Sequence, residues 1–307
     1  MKVTLLLTLI LLAFPLMSVN ASWQVKFGGE DTQVNFRAPI GDEDFPEGPH
    51  SLRVIAGNLW LLDSAGAKIL VFDKANKLVR RIILPTISSK VFYEDFAVQF
   101  TEDGKEPVAV VTAERFSNTV VKCALDGTEL LKFKPSNSIQ LDEVAIAPDG
   151  RIYVGDFGRA GISVFSPQGK FERSIPWQFS GFATDLKSNL HMLDYDEQAG
   201  HQHVVFSPIG KQISRTTLGF IEMQNPRIWE ANSKGIFVSF VPPSGDPTKQ
   251  TMMHINKDGK TEAQTDFSNP YFIYRYLDVD DDKVWIISAD YFEAPSSDIS
   301  VRPLVLK

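Results

Sequence analysis

Short runs of β-branched, aliphatic and aromatic residues recur along the chain, and polar turn-forming residues separate them. Runs of this kind are typical of pleated, largely buried strands. Five of them align with one another: LWLLDS (59–64), IYVGDF (152–157), LHMLDY (190–195), IFVSF (236–240) and VWIISA (284–289). Another strand and a tight turn precede most of these runs, and further strands follow them. The pattern therefore predicts an all-β protein built from a repeated four-stranded unit.

The turn after the third strand of each unit sets the length of the repeat. It carries Gly127, Gly169, Gly210 and Gly259, at intervals of 42, 41 and 49 residues. The first unit has Asn76 in this position, and asparagine tolerates a positive φ better than other non-glycine residues. Four short antiparallel strands in about 40 to 50 residues are typical of one blade of a β-propeller.

Counting these units predicts a six-bladed propeller that occupies residues 22–307 as a single domain. The predicted blades span 50–85, 92–134, 140–176, 178–220, 226–268 and 272–307. The last blade reaches the end of the chain after its third strand, whereas Trp23–Phe27 forms a spare strand near the other end. Pairing this strand with the last blade would cover an open sheet edge. We therefore predict that the N-terminal strand closes the ring.

Three segments resemble NHL-repeat proteins: WQVKFGG with VNFRAPIG near the N-terminus, and the units at 58–77 and 150–170. The resemblance implies a six-bladed, extracytoplasmic propeller of bacterial type, and it specifies architecture better than activity. Related propellers include peptidyl-amidating lyases, streptogramin lyases and calcium-dependent lactonases. GPHSL (48–52) resembles a Pro-His segment of the lyases. Only His50 stands at a matching position, so no catalytic assignment carries over.

Residues 1–21 have the pattern of a signal peptide. Lys2 precedes an apolar run from Val3 to Phe14, and Val19-Asn20-Ala21 fits a small-residue cleavage site. We expect a secreted or periplasmic protein with no transmembrane span after cleavage. Losing Lys2 changes the net charge from −7 to −8. This acidity argues against a nucleic-acid partner, which needs a basic surface.

Polar residues stand where each innermost strand is predicted to enter its blade, which would place them around the mouth of the central channel. The candidate ligand-binding residues are His50, Glu94, Asp95, Asp142, Glu143, Arg227, Arg275 and Tyr276. Carboxylates from blades two and three would face arginines from blades five and six. Such a polarised ring suits a zwitterionic or peptide-like ligand, or a cation on its acidic side. Alternatively, an acidic protein carries such clusters by chance.

Three histidines are weak candidates for a metal site. His201 and His203 alternate along one predicted strand, so both would point to one side and could join His50 around Ca²⁺ or Zn²⁺. The acidic run 278–282 begins like a calcium-binding loop but lacks the glycine and glutamate that such a loop requires. We predict a turn there.

These features favour a binding or scaffold module that recognises a protein, peptide, glycan or small molecule on one face, the top face, of the propeller. The top face carries the entries of the blades and the connections between second and third strands, where loop lengths vary most. The alternative is a metal-dependent hydrolase or lyase with its site at the mouth of the channel. We expect a monomer and leave open whether the protein is an enzyme.

Overall fold

The computed structural model describes residues 22–38, 46–87, 90–136, 138–156, 158, 161–218, 222–243, 246, 248–270, 273–289 and 298–307. The predicted signal peptide, 1–21, lies outside these residues. Regular structure within them is β-strand, apart from turns, isolated bridges and a 3₁₀ conformation at residue 158. Within this part of the chain there is no helix long and apolar enough to cross a membrane.

Twenty-four strands form six sheets of four antiparallel strands, which confirms the predicted six-bladed propeller. Blade one contains β2 (Pro49–Ile55), β3 (Asn58–Asp63), β4 (Lys68–Phe72) and β5 (Leu78–Ile83). Blade two contains β6 (Tyr93–Phe100), β7 (Pro107–Glu114), β8 (Thr119–Ala124) and β9 (Glu129–Phe133). Blade three contains β10 (Leu141–Ile146), β11 (Ile152–Asp156), β12 (Gly161–Phe165) and β13 (Phe171–Pro176).

The other three sheets follow the same order from the channel outward. Blade four contains β14 (Ala183–Thr184), β15 (Leu190–Asp196), β16 (Gly200–Phe206) and β17 (Gln212–Thr217). Blade five contains β18 (Gln224–Ala231), β19 (Gly235–Val241), β20 (Lys249–Asn256) and β21 (Thr261–Ser268). Blade six contains β22 (Leu277–Asp280), β23 (Lys283–Ser288) and β24 (Asp298–Leu304), and β1 (Trp23–Lys26) completes it.

The core lies between neighbouring blades. Second strands such as β3 are buried on both faces, since Leu61 and Leu62 are both fully inaccessible. This explains their continuous apolar sequences, because both faces of the strand pack against a neighbouring blade. The outermost strand β17 is mostly exposed and correspondingly polar. The innermost strands β22, β2, β6, β10, β14 and β18 contact one another in that order, and β18 returns to β22.

The N-terminal strand closes the ring as predicted. β1 pairs antiparallel with β24, with Trp23 opposite Val301 and Val25 opposite Ile299. Trp23 and Val25 are buried, whereas Gln24 and Lys26 between and after them are exposed. The Trp23 indole donates a hydrogen bond to the carbonyl oxygen of Asp73 in blade one, at 2.7 Å. The strand therefore joins blade six to blade one through side chains as well as backbone.

The predicted turn residues have the backbone conformation that the repeat requires. Asn76 has a φ of 60° and Gly259 a φ of 78°. A Cβ atom on Gly259 would also lie 2.5 Å from the carbonyl oxygen of Thr217 in the preceding blade. Glycine is required here both by the turn and by the close approach of two blades.

Candidate binding site at the mouth of the central channel

Four of the predicted rim residues meet inside the channel although they come from four different blades. We call Asp95, Glu143, Arg227 and Arg275 the charged cluster. The carboxylate of Asp95 accepts hydrogen bonds from the Ser51 hydroxyl at 2.6 Å and from the Val144 backbone amide at 3.2 Å. The Arg275 Nε atom lies 3.6 Å from the same carboxylate. Asp95 therefore holds blades one, two, three and six together.

Glu143 is the second anion of the charged cluster. Its carboxylate accepts a hydrogen bond from the Gly181 amide at 3.1 Å, and one oxygen lies 3.5 Å from Arg227 and 3.6 Å from Arg275. Burial raises the pKa of Glu143 to about 7, against the opposing effect of the Arg227 charge. The Arg227 guanidinium also stacks on the rings of Trp229 and Tyr274, 4.3 and 4.2 Å from their centroids.

One layer deeper, Arg53 and Asp278 extend the charged network. Arg53 lies 3.6 Å from Asp95 and 3.7 Å from Asp278, and it donates a hydrogen bond to the Phe96 carbonyl oxygen. Asp278 accepts a 2.6 Å hydrogen bond from the Val54 amide of blade one. Neither residue was among the predicted site residues. Arg53 could have been predicted from the sequence. It stands two residues after Ser51, and alternate residues of a strand point to the same side.

Nearer to the solvent, His50 and Glu94 form the outer part of the mouth. The His50 Nδ1 atom lies 3.5 Å from a Glu94 carboxylate oxygen, and its ring stacks on Tyr274 with centroids 6.0 Å apart. Arg115 approaches the other oxygen of Glu94 to 3.7 Å, and its side chain is 45% exposed. Asp142 accepts a hydrogen bond from the Gln140 side chain. Neither Tyr274 nor Arg115 was among the predicted site residues.

Burial sets the protonation states of this outer pair. It raises the pKa of Glu94 to about 8, and the nearby Asp142 and Asp95 add to the effect while Arg115 opposes it. Burial lowers the pKa of His50 to about 4. Near pH 7 the pair therefore consists of a neutral carboxylic acid, which can donate a proton, and a neutral imidazole, which can accept one.

The charged groups at the mouth are close together but incompletely hydrogen-bonded. Among the described residues, no hydrogen-bond partner reaches Glu94 Oε2, Glu143 Oε1, Arg227 Nε and Nη2, or Arg275 Nε and Nη1. All these atoms are buried, and buried polar groups in proteins are usually satisfied. The site thus presents both acceptors and donors with unused hydrogen-bonding capacity.

Tyr276 lies in a different environment from the other predicted rim residues. Its ring packs against Trp229 with centroids 4.9 Å apart, and its hydroxyl donates a hydrogen bond to the side chain of Gln250 in blade five. It belongs to the apolar core between blades five and six. Tyr274, two residues earlier, is the tyrosine that stacks on His50 and Arg227.

The three candidate metal-binding histidines have separate surroundings. His50 contacts Glu94, Phe92 and Tyr274 at the mouth, whereas His203 lies 2.9 Å from His191 inside blade four. His201 packs against aromatic rings that line a second top-face depression of about 600 Å³, between blades four and five. Within the described part of the chain, no three His, Cys, Asp or Glu side chains are grouped as metal ligands.

Replacing Glu94 with glutamine is expected to change how stability depends on pH. Because the pKa of Glu94 rises from 4.5 to about 8 on folding, the native state holds this proton more tightly, and wild-type stability falls as pH rises through that range. Glu94→Gln has no proton to lose, so its free energy of unfolding relative to that of wild type should increase with pH. The increase should be about 1.4 kcal/mol per pH unit and a few kcal/mol in total. Urea unfolding at pH 5, 7 and 9 measures it. Glu102→Gln, an exposed site in the same blade, is the matched control. Parallel pH profiles for Glu94→Gln and wild type would contradict the assignment.

Comparison with known proteins places the fold but not the activity. No family model and no curated protein sequence matches the chain. A streptogramin B lyase structure aligns over 95% of this chain and 96% of its own, with a TM-score of 0.53 and 15% identity. A member of the DUF4221 family from Bacteroides vulgatus aligns over 94% and 99%, with a TM-score of 0.53 and 15% identity. A predicted exported protein from Bacteroides fragilis aligns over 94% and 97%, with a TM-score of 0.53 and 11% identity. At these identities the likeness extends to the six-bladed β-propeller fold alone.

Proposed function

We propose that this protein is an exported, NHL-like binding module that holds a small zwitterionic or peptide-like ligand at the mouth of its central channel. The observation that carries the proposal is the set of buried acceptors on Glu94 and Glu143 and buried donors on Arg227 and Arg275 without hydrogen-bond partners among the described residues. Export agrees with the signal-like sequence 1–21 and with the exported neighbour from Bacteroides fragilis.

The chemistry of the site indicates which ligand groups it would satisfy. A ligand carboxylate would accept hydrogen bonds from the two arginines, whose planar guanidinium groups suit paired contacts with carboxylates. A ligand ammonium would donate to the carboxylate of Glu143, and a ligand amide N–H to the carbonyl oxygen of the Glu94 carboxyl group. Each buried polar atom left unsatisfied costs about 1–3 kcal/mol, so filling these positions would favour the bound state. Arg115 and the half-buried rings of His50 and Tyr274 form the part of the mouth that a ligand meets first.

Binding of free dipeptides tests this function. We expect zwitterionic dipeptides to raise the melting temperature and to give measurable heats in titration calorimetry, whereas the same dipeptides with acetylated and amidated ends should bind at least tenfold more weakly. The double variant Glu94→Gln, Glu143→Gln should lose binding, as should the more exposed Arg115→Gln. Glu102→Gln should bind like wild type. Equal binding of free and blocked dipeptides, or no binding by wild type, would overturn the proposal.

A second candidate function, a lyase or hydrolase, is favoured by one observation, the pairing of Glu94 with His50. A carboxylic acid with a pKa of about 8 beside an imidazole with a pKa of about 4 can supply an acid and a base near neutral pH. Incubation with a streptogramin B antibiotic, with and without added Ca²⁺ or Zn²⁺, tests this candidate by mass spectrometry. Turnover that His50→Asn abolishes while binding persists would support an enzyme; an unchanged substrate under all conditions would count against it.

A further inference from the structure

Within the described residues, the closure of the ring leaves blade six open at its lower end, on the face opposite the charged cluster. In the other blades a turn joins the third and fourth strands, as at residues 73–76 and 257–259. In blade six these two strands, β24 and β1, are not consecutive in the chain, so among the described residues no turn joins them. After β24 the chain diverges toward blade five, where Lys307 and Gln264 exchange backbone hydrogen bonds of 2.9 and 3.1 Å.

A cleft of about 1050 Å³ lies at this open end, between blades five, six and one. We call it the seam cleft. Its walls contain aromatic side chains, aliphatic side chains from the end of the chain, and polar residues from the lower turns. They include Trp23, Phe237, His254, Glu262, Trp285 and Leu306. The volume is at the upper end of the range typical of small-molecule sites.

Two buried polar atoms on residues of this cleft have no hydrogen-bond partner among the described residues: Trp285 Nε1 and His254 Nε2. Trp285 is 5% exposed and His254 9% exposed. The neighbouring indoles are satisfied, since Trp23 donates to the Asp73 carbonyl oxygen at 2.7 Å and Trp229 to the Ser239 hydroxyl at 2.8 Å. Trp285 therefore differs from these two neighbouring indoles in having an unused donor.

The two atoms have complementary roles. An indole N–H is only a donor. His254 directs Nδ1 toward a Glu262 carboxylate oxygen 3.3 Å away and stacks on Phe237 with centroids 4.5 Å apart. When Nδ1 carries the proton, Nε2 is an acceptor. A hydroxyl group both donates and accepts, so a ligand with several hydroxyl groups could satisfy both residues.

The charges around the cleft nearly balance, since its lining contains three lysines and four carboxylates: Lys74, Lys234, Lys283, Glu262, Asp280, Asp281 and Asp282. Lys234 forms an ion pair with Asp282, and Asp280 accepts hydrogen bonds from the backbone amides of Ala56 and Gly57 at 3.1 and 2.9 Å. The near balance of the two signs favours a ligand without a large net charge. Because Trp285 belongs to blade six and His254 to blade five, a ligand that contacts both would bridge two blades.

From these observations we propose that the seam cleft binds a neutral oligosaccharide across the open end of blade six. The hydroxyl groups would accept from Trp285 and donate to His254, and the C–H faces of the sugar rings would cover the aliphatic wall. This site is independent of the dipeptide site, because the two lie on opposite faces of the propeller.

Titration with a panel of neutral oligosaccharides, such as maltopentaose, cellopentaose and chitotetraose, tests the site. In ¹H–¹⁵N spectra the Trp285 indole cross-peak, assigned by its loss in Trp285→Phe, should shift when one of these sugars is added. Calorimetry should show affinity about three- to tenfold weaker for Trp285→Phe than for wild type, as expected for one hydrogen bond. Trp229→Phe removes an indole N–H that already has a partner, and should leave sugar affinity unchanged.

Three outcomes would overturn the proposal. The first is a panel in which no neutral oligosaccharide moves the Trp285 cross-peak. The second is equal sugar affinity for Trp285→Phe and wild type. The third is a shift caused only by acidic oligosaccharides or by end-blocked peptides, which would assign the cleft to another ligand class. The double variant Glu94→Gln, Glu143→Gln should lose dipeptide binding but keep sugar binding. A failure of the dipeptide proposal can therefore be distinguished from a failure of this one.

Discussion

A chain that begins at residue 30 should be unfolded or strongly destabilised compared with one that begins at Ser22. The deletion removes β1 and with it the pairing to β24, leaving the edge of blade six unpaired. It also removes Trp23 and Val25, which are 0% and 2% exposed, from the largest core cluster. The Trp23 ring lies 4.8 Å from that of Trp285, so the loss would open the core between blades six and one.

Trp23→Ala measures the same effect in a folded protein. Truncating a buried tryptophan costs about 3–5 kcal/mol, which is a large part of the 5–15 kcal/mol that stabilises most domains. Urea unfolding followed by circular dichroism would give the loss directly. Gln24→Ala and Lys26→Ala are matched controls, since these residues are exposed on the same strand and should change stability by less than about 0.5 kcal/mol. A wild-type melting temperature for the deletion would refute the closure as a source of stability.

Asp95→Ala should produce the second large loss, about 3–5 kcal/mol. Asp95 is fully buried, and its removal leaves Arg53 and Arg275 without the carboxylate that lies 3.6 Å from each. Arg53 keeps Asp278 and Arg275 keeps Glu143 as carboxylate neighbours, so the loss leaves an excess of buried positive charge, which the low-dielectric interior solvates poorly. The variant also loses the hydrogen bond from Ser51 and the one from the Val144 amide.

Three further variants separate charge from hydrogen bonding at this position. Asp95→Asn keeps most of the shape and should retain part of the hydrogen bonding, so it isolates the charge. Ser51→Ala removes one hydrogen bond and should cost about 1 kcal/mol. Combining Asp95→Ala with Arg275→Met should cost less than the sum of the single changes in a double-mutant cycle. Additive losses, or an Asp95→Ala protein as stable as one with the exposed Asp103→Ala, would show that the charged cluster does not stabilise the ring.

The two faces of the propeller carry different chemistry. The mouth of the channel on the top face collects charges of both signs, and backbone amides of neighbouring blades donate hydrogen bonds to its carboxylates Asp95 and Glu143. The seam cleft on the lower face combines aromatic walls with one unused donor and one further polar atom without a partner among the described residues. The first site depends on the innermost strands of all blades, and the second on the single blade whose strands come from both ends of the chain.

Part of the site could be read from the order of residues alone. Asp95, Glu143, Arg227 and Arg275 could be placed at the channel because each stands at the entry of an innermost strand. Tyr276 also stands at the entry of an innermost strand, but its side chain packs against blade five. The backbone hydrogen bonds around it explain this position. Arg275 exchanges hydrogen bonds with β2, through His50 O and the Leu52 amide, while the Tyr276 carbonyl accepts from Ile287 in β23. The entry segment of blade six is therefore hydrogen-bonded to β2 of blade one and to β23 of its own blade. A local sequence pattern does not indicate such a double pairing.

The sequence by itself determined the number of strands, the number of blades and the closure by β1. These depend on local properties: alternation of side chains along strands, turn residues such as Asn76, and a count that leaves one strand missing and one spare. Only the tertiary structure decided which charges meet, how deeply Glu94 and His50 are buried, and where the seam cleft opens. These depend on distances between residues of different blades, such as Asp95 and Arg275, which are set by how six twisted sheets pack around an axis.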